Sequence, residues 1–305
     1  MTHPMRILVL GASGFLGEHT ARHLRALPGA QVFTGGRSST ADAHIDLATI
    51  DVPRLADTLA ALRPDAVVNC AGAVGGGSLA LAATNARGPA ALCAALTEAA
   101  PDARLVHLGS AAEYGTSGGD LALTESSPTC PFGVYGATKL AGSLAVTSAG
   151  LDAVVLRVFN PLGPGSPASS LPGRLAALLR EAEPEGVVRV GALSAYRDFI
   201  DARDVASAVA RATTTTAPLP PVLNLGSGTA QPVRAVATEL ARLADFRGEI
   251  DESGAGSGRS PAASRAWADI TATTAALDWR PRYSFAQSLA DLWAEATGQP
   301  VDALR

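Results

Sequence analysis

Three side chains of this sequence, Ser110, Tyr135 and Lys139, have the types and spacing to deliver a proton to a carbonyl oxygen. Tyr135 and Lys139 stand four residues apart in Tyr135-Gly136-Ala137-Thr138-Lys139, which puts a phenol and an ammonium on one face of a helix. A cation beside a phenol stabilises the phenolate and brings its pKa down from about 10, as a proton donor to a developing alkoxide requires. That spacing alone is common. Of the 24 basic residues, however, Lys139 is the sole lysine, and a chain that uses arginine everywhere else keeps a flexible point charge here. Ser110 ends the run Leu105-Val106-His107-Leu108-Gly109-Ser110, at the C-terminal end of an expected strand where open α/β sheets bind their ligands. Its hydroxyl would polarise the same carbonyl; the alternative is a strand-end cap. His107 reads as a packed or capping histidine rather than a base.

A second stretch speaks for a nucleotide. Gly11-Ala12-Ser13-Gly14-Phe15-Leu16-Gly17 follows one expected strand and opens one expected helix. Gly11 allows a tight turn, Gly14 lets backbone approach a pyrophosphate, and Gly17 permits close helix–strand packing, while the helix N-terminus favours phosphate charge. A glycine-rich turn kept only for packing is the alternative. NAD-preferring sites place an acidic residue about twenty positions further on. Here no carboxylate lies between Glu18 and Asp42, and Gly36 is followed by Arg37, Ser38 and Ser39. A guanidinium grips a 2′-phosphate bidentately, so the expectation is NADP(H) in preference to NAD(H), against a bland reading of Arg37 as a solvated loop residue.

The elements that must position these groups follow from apolar patterning. Strands are expected at Arg6–Leu10, Gln31–Thr34, Ala66–Asn69, Arg104–Leu108, Ala153–Val158 and Val222–Leu225, mostly apolar runs as buried parallel strands should be. Helices are expected at Gly14–Ala26, Pro53–Leu62, Ser78–Ala100, Val134–Ala149, Val233–Leu243 and Ser284–Ala296. Alternation of the two predicts an α/β fold, a Rossmann-type doubly wound parallel sheet with a smaller C-terminal α/β substrate lobe. Pro161, Pro164, Pro167 and Pro172 mark the exit from the regular sheet. The expected division is a dinucleotide-binding domain over 1–165, rejoined at about 197–228, and a substrate-binding lobe made of 166–196 and 229–305. Ser253–Ser264, rich in Gly, Ser, Pro and Ala, reads as a surface loop able to order over a ligand.

Composition excludes other classes. With 305 residues, 47% hydrophobic and 17% charged, the chain can bury a sizeable core. A net charge of −4 with scattered basic residues offers no nucleic-acid patch. The three cysteines, Cys70, Cys93 and Cys130, lack C-x-x-C spacing, and the histidines show no metal-ligand grouping, so no metal is assigned and a reducing, cytoplasmic setting is expected. The longest uncharged stretch, Ala66 to Ala86, contains Asn69, Gly72 and Gly75-Gly76-Gly77, which argues against a membrane span.

Taken in order, these blocks resemble the extended short-chain dehydrogenase/reductase family of nucleotide-sugar epimerases, dehydratases and ketoreductases, over nearly the whole chain. Gly11–Gly17 looks like its cofactor loop, Asp46-Leu47 its adenine-contacting pair, Asn69-Cys70-Ala71-Gly72 its strand-four motif and Asn85-Ala86-Arg87-Gly88 its helix motif. Ser110, Tyr135 and Lys139 fall on its catalytic triad. The stretches from Arg157 to Gly165, Arg197 to Asp201, Asp204 to Ala206, Asn224 to Gly228 and Leu277 to Pro281 are similar to its later motifs. The resemblance implies cofactor contacts from Gly11, Ser13, Gly14, Phe15, Leu16, Gly17, Arg37, Ser38, Asp46, Leu47, Ala71, Gly72, Ala73, Tyr135 and Lys139. It also implies a nucleotide-sugar substrate whose diphosphate is held by Asn160, Arg197 and Arg259, and a homodimer built on the helices Ser78–Ala100 and Val134–Ala149.

Within the family, dehydratases carry an Asp-Glu pair after the catalytic hydroxyl, whereas Ala111-Ala112 follow Ser110 here, so dehydration lacks its acid and base. Gly109 to Gly115, Phe159 to Gly165 and Val190 to Asp201 look most like the 4-ketoreductases of nucleotide-linked 4-keto-6-deoxyhexoses, such as GDP-4-keto-6-deoxymannose reductase. The expected function is therefore NADPH-dependent reduction of a 4-keto sugar. A 4-epimerase with tightly bound cofactor is the alternative, and a non-catalytic NADP-sensing regulator the remote one.

Overall fold

In the computed structural model, which describes residues 3–115, 121–254 and 265–299, the first crossover is already the cofactor-type unit expected. Met5–Leu10 (β1) turns through residues 11–14 into Phe15–Arg25 (α1), and the chain returns as Ala30–Gly36 (β2), parallel to β1. Ala43–His44 (β3) adds a short edge strand to β2. Asp51 caps Val52–Leu62 (α2) by accepting from the Arg54 N–H at 2.8 Å, with Pro53 in the first turn where no donor is needed. Ala66–Asn69 (β4) follows, then Ser78–Ala82 (α3) and Gly88–Ala99 (α4). Arg104–Ser110 (β5), Val134–Thr147 (α5) and Ala153–Val158 (β6) complete the first half.

After β6 come Asn160–Leu162 (β7), Leu171–Glu181 (α6), Val187–Arg189 (β8), Tyr196–Asp201 (β9) and Ala202–Thr214 (α7). Val222–Leu225 (β10) rejoins the main sheet, followed by Ala230–Pro232 (β11), Val233–Leu243 (α8), Glu249–Asp251 (β12), Arg265–Ala266 (β13), Thr271–Leu277 (α9) and Phe285–Thr297 (α10).

The seven-stranded sheet has the order β3-β2-β1-β4-β5-β6-β10, and every pairing in it is parallel. Strand order reverses between β1 and β4, so the crevice at their C-terminal ends is where a doubly wound sheet takes a ligand. The expected α/β fold is thus the observed one. One face is covered by α1, α7 and α9, with Leu24, Val205, Val209, Leu277 and Trp279 buried against the strands. The other is covered by α2, α4 and α5 through residues such as Leu55, Leu59, Leu92, Leu96 and Val146. A separate apolar core joins α6, α8 and α10 to β8 and β9, with Leu175, Leu179, Val236, Leu240, Leu289 and Trp293 at its centre. Small sheets, β7 and β13 flanking β9 with β11, and β12 beside β8, connect the two.

One expected element is interrupted. The single helix read over Ser78–Ala100 is two helices joined by a π turn at Ala83–Arg87. The turn swings Asn85, 1% exposed, inward, where its Oδ1 accepts the Ala73 N–H at 2.8 Å and its Nδ2 donates to the Ala73 carbonyl at 2.9 Å. Apolar periodicity cannot announce such a break, because it is a buried amide and not the hydrophobic face that profits from it. Among the described residues no helix is long and apolar enough to cross a membrane.

Candidate active site

The site is built where β5 ends. Ser110 opens the 3₁₀ turn Ala111–Glu113; its Oγ accepts the Ala112 N–H at 3.2 Å while the Glu113 carboxylate accepts the Ser110 N–H at 2.8 Å. This reciprocal capping box fixes the hydroxyl-bearing backbone. Tyr135 stands in the first turn of α5 and its hydroxyl donates toward Ser110 Oγ at 3.5 Å, a separation that leaves room for a substrate oxygen to accept from both. One turn on, Lys139 is 5% exposed and donates from Nζ to the Leu108 carbonyl at 2.5 Å. Burial holds its pKa below the ordinary 10.5, opposed by the Glu113 carboxylate. The structure therefore places Tyr135 at 3.5 Å from Ser110 and Lys139 one helical turn on, against the carbonyl of Leu108 two residues before Ser110.

Beside them lies a cradle for an elongated anion. Gly11 has φ of +72°, and a Cβ there would stand 2.7 Å from Ala71 Cα, so β1 and β4 touch at this turn only because Gly11 has no side chain. At Gly17 a Cβ would meet the Gly11 carbonyl oxygen at 2.0 Å. No described side chain caps α1 at Gly14, so the first-turn N–H groups around Phe15 and Leu16 remain for a ligand, with Ser13 exposed at the same turn. Gly72 runs past Lys139, its Cβ position 3.9 Å from Nζ, and the Asn85 amide pins Ala73 next to it. These features fit a nicotinamide dinucleotide: the N–H groups at α1 could take a pyrophosphate, and Gly72 and Lys139 could take a ribose.

At the far end, Arg37 is exposed one residue beyond β2, with the Ser38 hydroxyl 2.7 Å from that of Thr40. Asp42, the next carboxylate along the chain, bonds the Thr34 N–H and hydroxyl at 2.8 and 2.7 Å, contacts that hold its carboxyl below the usual range. That acid is tied to β2 rather than to Arg37. Asp46 accepts the Ala48 N–H at 3.1 Å, and Leu47, 4% exposed, is part of the core, so any contact it makes with a cofactor is through its backbone.

On the substrate side, Asn160 in β7 donates to the Asp198 carbonyl at 2.8 Å and so lies against β9. Arg197, 9% exposed, donates to the Tyr196 carbonyl at 2.7 Å, and burial lowers its pKa. A desolvated guanidinium is a strong anion partner. Arg259, the third expected substrate residue, lies outside the described residues. Asp198 holds the neighbourhood together by accepting from the N–H groups of Ser227, Gly228 and Ala268.

The sheet beneath the site carries a titratable latch. Asn69 Oδ1 accepts the Ala71 N–H at 3.1 Å, which turns its Nδ2 toward His107 Nδ1, also at 3.1 Å. His107 is fully buried, and burial drives its pKa well below 6.5. Above pH 6.5 neither folded nor unfolded chain binds a proton at this residue. Below it the unfolded chain does and the folded one does not, so stability is lost as pH falls through about 6.5, at up to about 1.4 kcal/mol per pH unit. Denaturant titrations between about pH 7.5 and 5.5 should show this slope, and His107→Gln should flatten it. Equal slopes in both proteins would assign the acid sensitivity to other groups.

With this geometry in view, the comparisons are decisive about kinship. The family model described as "NAD dependent epimerase/dehydratase family" matches residues 7–226. The chain belongs to the NAD-dependent epimerase/dehydratase family. Within that family it is 34% identical over 314 residues to dTDP-6-deoxy-L-talose 4-dehydrogenase (NAD(P)(+)) of Kitasatospora kifunensis, with 98% of each chain covered. Among solved structures it resembles MoeE5 in complex with UDP-glucose and NAD, with 27% identity, TM-score 0.82, and 96% and 98% of the two chains covered. It also resembles a UDP-glucose-4-epimerase from Stenotrophomonas maltophila with bound NAD and formylated UDP-arabinopyranose, with 25% identity, TM-score 0.81 and the same coverage. An NAD(P)-dependent sugar-nucleotide oxidoreductase or epimerase of this family is thereby established as the class of the enzyme.

Sequence reasoning passed over Glu113, Ser143 and the inward role of Asn85. Ser110-Ala111-Ala112-Glu113 has capping-box spacing, a signal sufficient to find the first. Among the described residues no group of three or more His, Cys, Asp or Glu is placed to hold a metal ion.

Proposed function

We propose that this enzyme reduces a nucleotide-linked 4-keto-6-deoxyhexose with NADPH, and that the nucleotide is dTDP. The observation that carries the reading is the meeting of Tyr135, Ser110 and Lys139 at the mouth of the dinucleotide cradle. It is joined by 34% identity to a relative named for chemistry at C4 of a dTDP-6-deoxy sugar, which favours dTDP over the guanosine nucleotide of the reductases named above. Oxidation of the C4 alcohol and reduction of the C4 ketone share one transition state, so the same residues serve either direction.

A nicotinamide dinucleotide held by the Gly11–Gly17 turn, Gly72 and Lys139 would supply the hydride for C4. Tyr135 gives its phenolic proton to the developing alkoxide, and Ser110 donates a hydrogen bond to the same oxygen. Lys139 compensates the phenolate left behind and holds the cofactor ribose. Asn160 and Arg197 hold the sugar-nucleotide diphosphate, and Arg259 is assigned with them from the sequence. Ala111 and Ala112 present only methyl groups after Ser110, and Glu113 is turned inward onto Arg157, which leaves dehydration without an acid and base.

The 25% identity to a UDP-glucose-4-epimerase favours 4-epimerisation as a second reading. Cofactor stoichiometry separates them: the reductase consumes one NADPH per sugar converted, whereas an epimerase converts sugar with no net consumption. Selectivity for NADPH rests on Arg37. Arg37→Ala should weaken NADPH binding about tenfold or more and leave NADH binding unchanged, and equal losses for both would remove the phosphate contact.

We also infer a homodimer. Leu79 and Leu144, 84% and 56% exposed on the neighbouring helices α3 and α5, are apolar side chains that a second copy could cover. Light scattering should give twice the chain mass, and a monomer mass at micromolar concentration would refute it.

A further inference from the structure

Behind the reacting groups sits a carboxylate with no solvent exposure and no route to the sugar. Glu113 is 0% exposed and spends both oxygens inside the protein. Oε1 accepts the Ser110 N–H at 2.8 Å and the Ser143 hydroxyl at 2.9 Å; Oε2 accepts from Arg157 Nε at 2.8 Å. Gly109 makes room for it, since a Cβ there would stand 2.7 Å from Oε1. Arg157 in turn lies over the Tyr114 ring at 4.6 Å, and the Tyr114 hydroxyl donates to Asn224 Oδ1 at 2.7 Å. A buried polar chain therefore runs from β10 through β6 to the start of the Ser110 turn and to α5.

Ser143 is one helical turn beyond Lys139, so the carboxylate meets α5 on the stretch that carries the lysine. We propose that Glu113 is the positioning residue of this site: it locks the Ser110 backbone in place, tethers α5, and supplies a buried negative charge to the neighbourhood of Lys139, the chain's only lysine. The inference rests on the reading of Ser110, Tyr135 and Lys139 as the reacting set. Burial lowers the Lys139 pKa, and of the groups that oppose it Glu113 acts more strongly than Cys70, whose thiol burial pushes up to about 12; the His107 pKa is likewise lowered by burial. Arg157 takes the opposite oxygen of the carboxylate in a buried ion pair at 2.8 Å.

A single lysine makes the test direct. Protein labelled with ¹³Cε/¹⁵Nζ-lysine gives one ε resonance, whose pH titration reports Lys139 alone. E113Q keeps the shape and removes the charge, and should move the Lys139 titration down by about one unit or more. It should also lower kcat about tenfold or more, with KM for the sugar nucleotide unchanged. S143A keeps the charge and should leave the titration nearly in place. Should E113Q fail to fold because Arg157 is stranded, E113Q/R157Q carries no unmatched buried charge and is expected to show the same downward shift. A Lys139 titration unmoved by loss of the carboxylate in the folded variant overturns the proposal. A downward shift combined with full activity of Tyr135→Phe would keep the counter-ion and overturn the proton-donor reading instead.

Discussion

Tyr135→Phe is expected to lower kcat by about 10²- to 10⁴-fold while leaving the dissociation constant of NADPH within about twofold. The ring remains in the first turn of α5, so the packing that seats it is kept and only the hydroxyl directed at Ser110 is lost. Lys139 keeps its bond to the Leu108 carbonyl and its place beside Gly72, so cofactor contacts survive. Water can replace a phenol as proton source, but without the fixed geometry, which is why a large loss is expected. Steady-state kinetics with a parallel fluorescence titration of NADPH checks both halves. Activity above about one hundredth of the wild-type value would remove Tyr135 from the acid role.

The second large effect is expected at Gly17. Gly17→Ala adds one methyl group 2.0 Å from the Gly11 carbonyl oxygen, 2.8 Å from Gly11 C and 2.9 Å from Ala12 Cα. All three are backbone atoms of the turn, so no side chain can swing aside and α1 must withdraw from β1. Withdrawal opens the cradle and misaims the first-turn N–H groups, and dinucleotide affinity should fall about 100-fold or more. The same overpacking should cost about 1–3 kcal/mol of stability. Isothermal titration with NADPH, together with thermal unfolding, measures both. Wild-type affinity in a folded Gly17→Ala protein would mean that the pyrophosphate is not held at this turn.

Much of this architecture is legible in the sequence for a physical reason. Strands buried on both faces are predominantly apolar, so β1, β4, β5, β6 and β10 stand out against the helices between them even though Asn69, His107, Arg157 and Asn224 are buried on them. Glycines forced by backbone contact, as at Gly11 and Gly17, are legible because no other residue fits. The pieces around the substrate are harder. β7, β8, β11, β12 and β13 are two or three residues long, too short for any period to appear, and their pairing, of β7, β11 and β13 with β9 and of β12 with β8, is decided by contacts far apart in the chain. The π turn at Ala83–Arg87 follows from one amide reaching Ala73, which the helical pattern around it conceals. Glu113 shows a different limit. Its spacing from Ser110 reveals the capping box, but its bonds to Ser143 and Arg157 arise only when β5, β6 and α5 are assembled.

The most direct test of the account is isotope transfer. Purified enzyme would be given a dTDP-linked 4-keto-6-deoxyhexose and NADPH deuterated on the transferable C4 position of the nicotinamide, and the sugar product examined by mass spectrometry and NMR. The account predicts one deuterium per product molecule, located at sugar C4, with one NADPH consumed for each. Converted sugar without deuterium, or deuterium at any other carbon, would contradict reduction at C4.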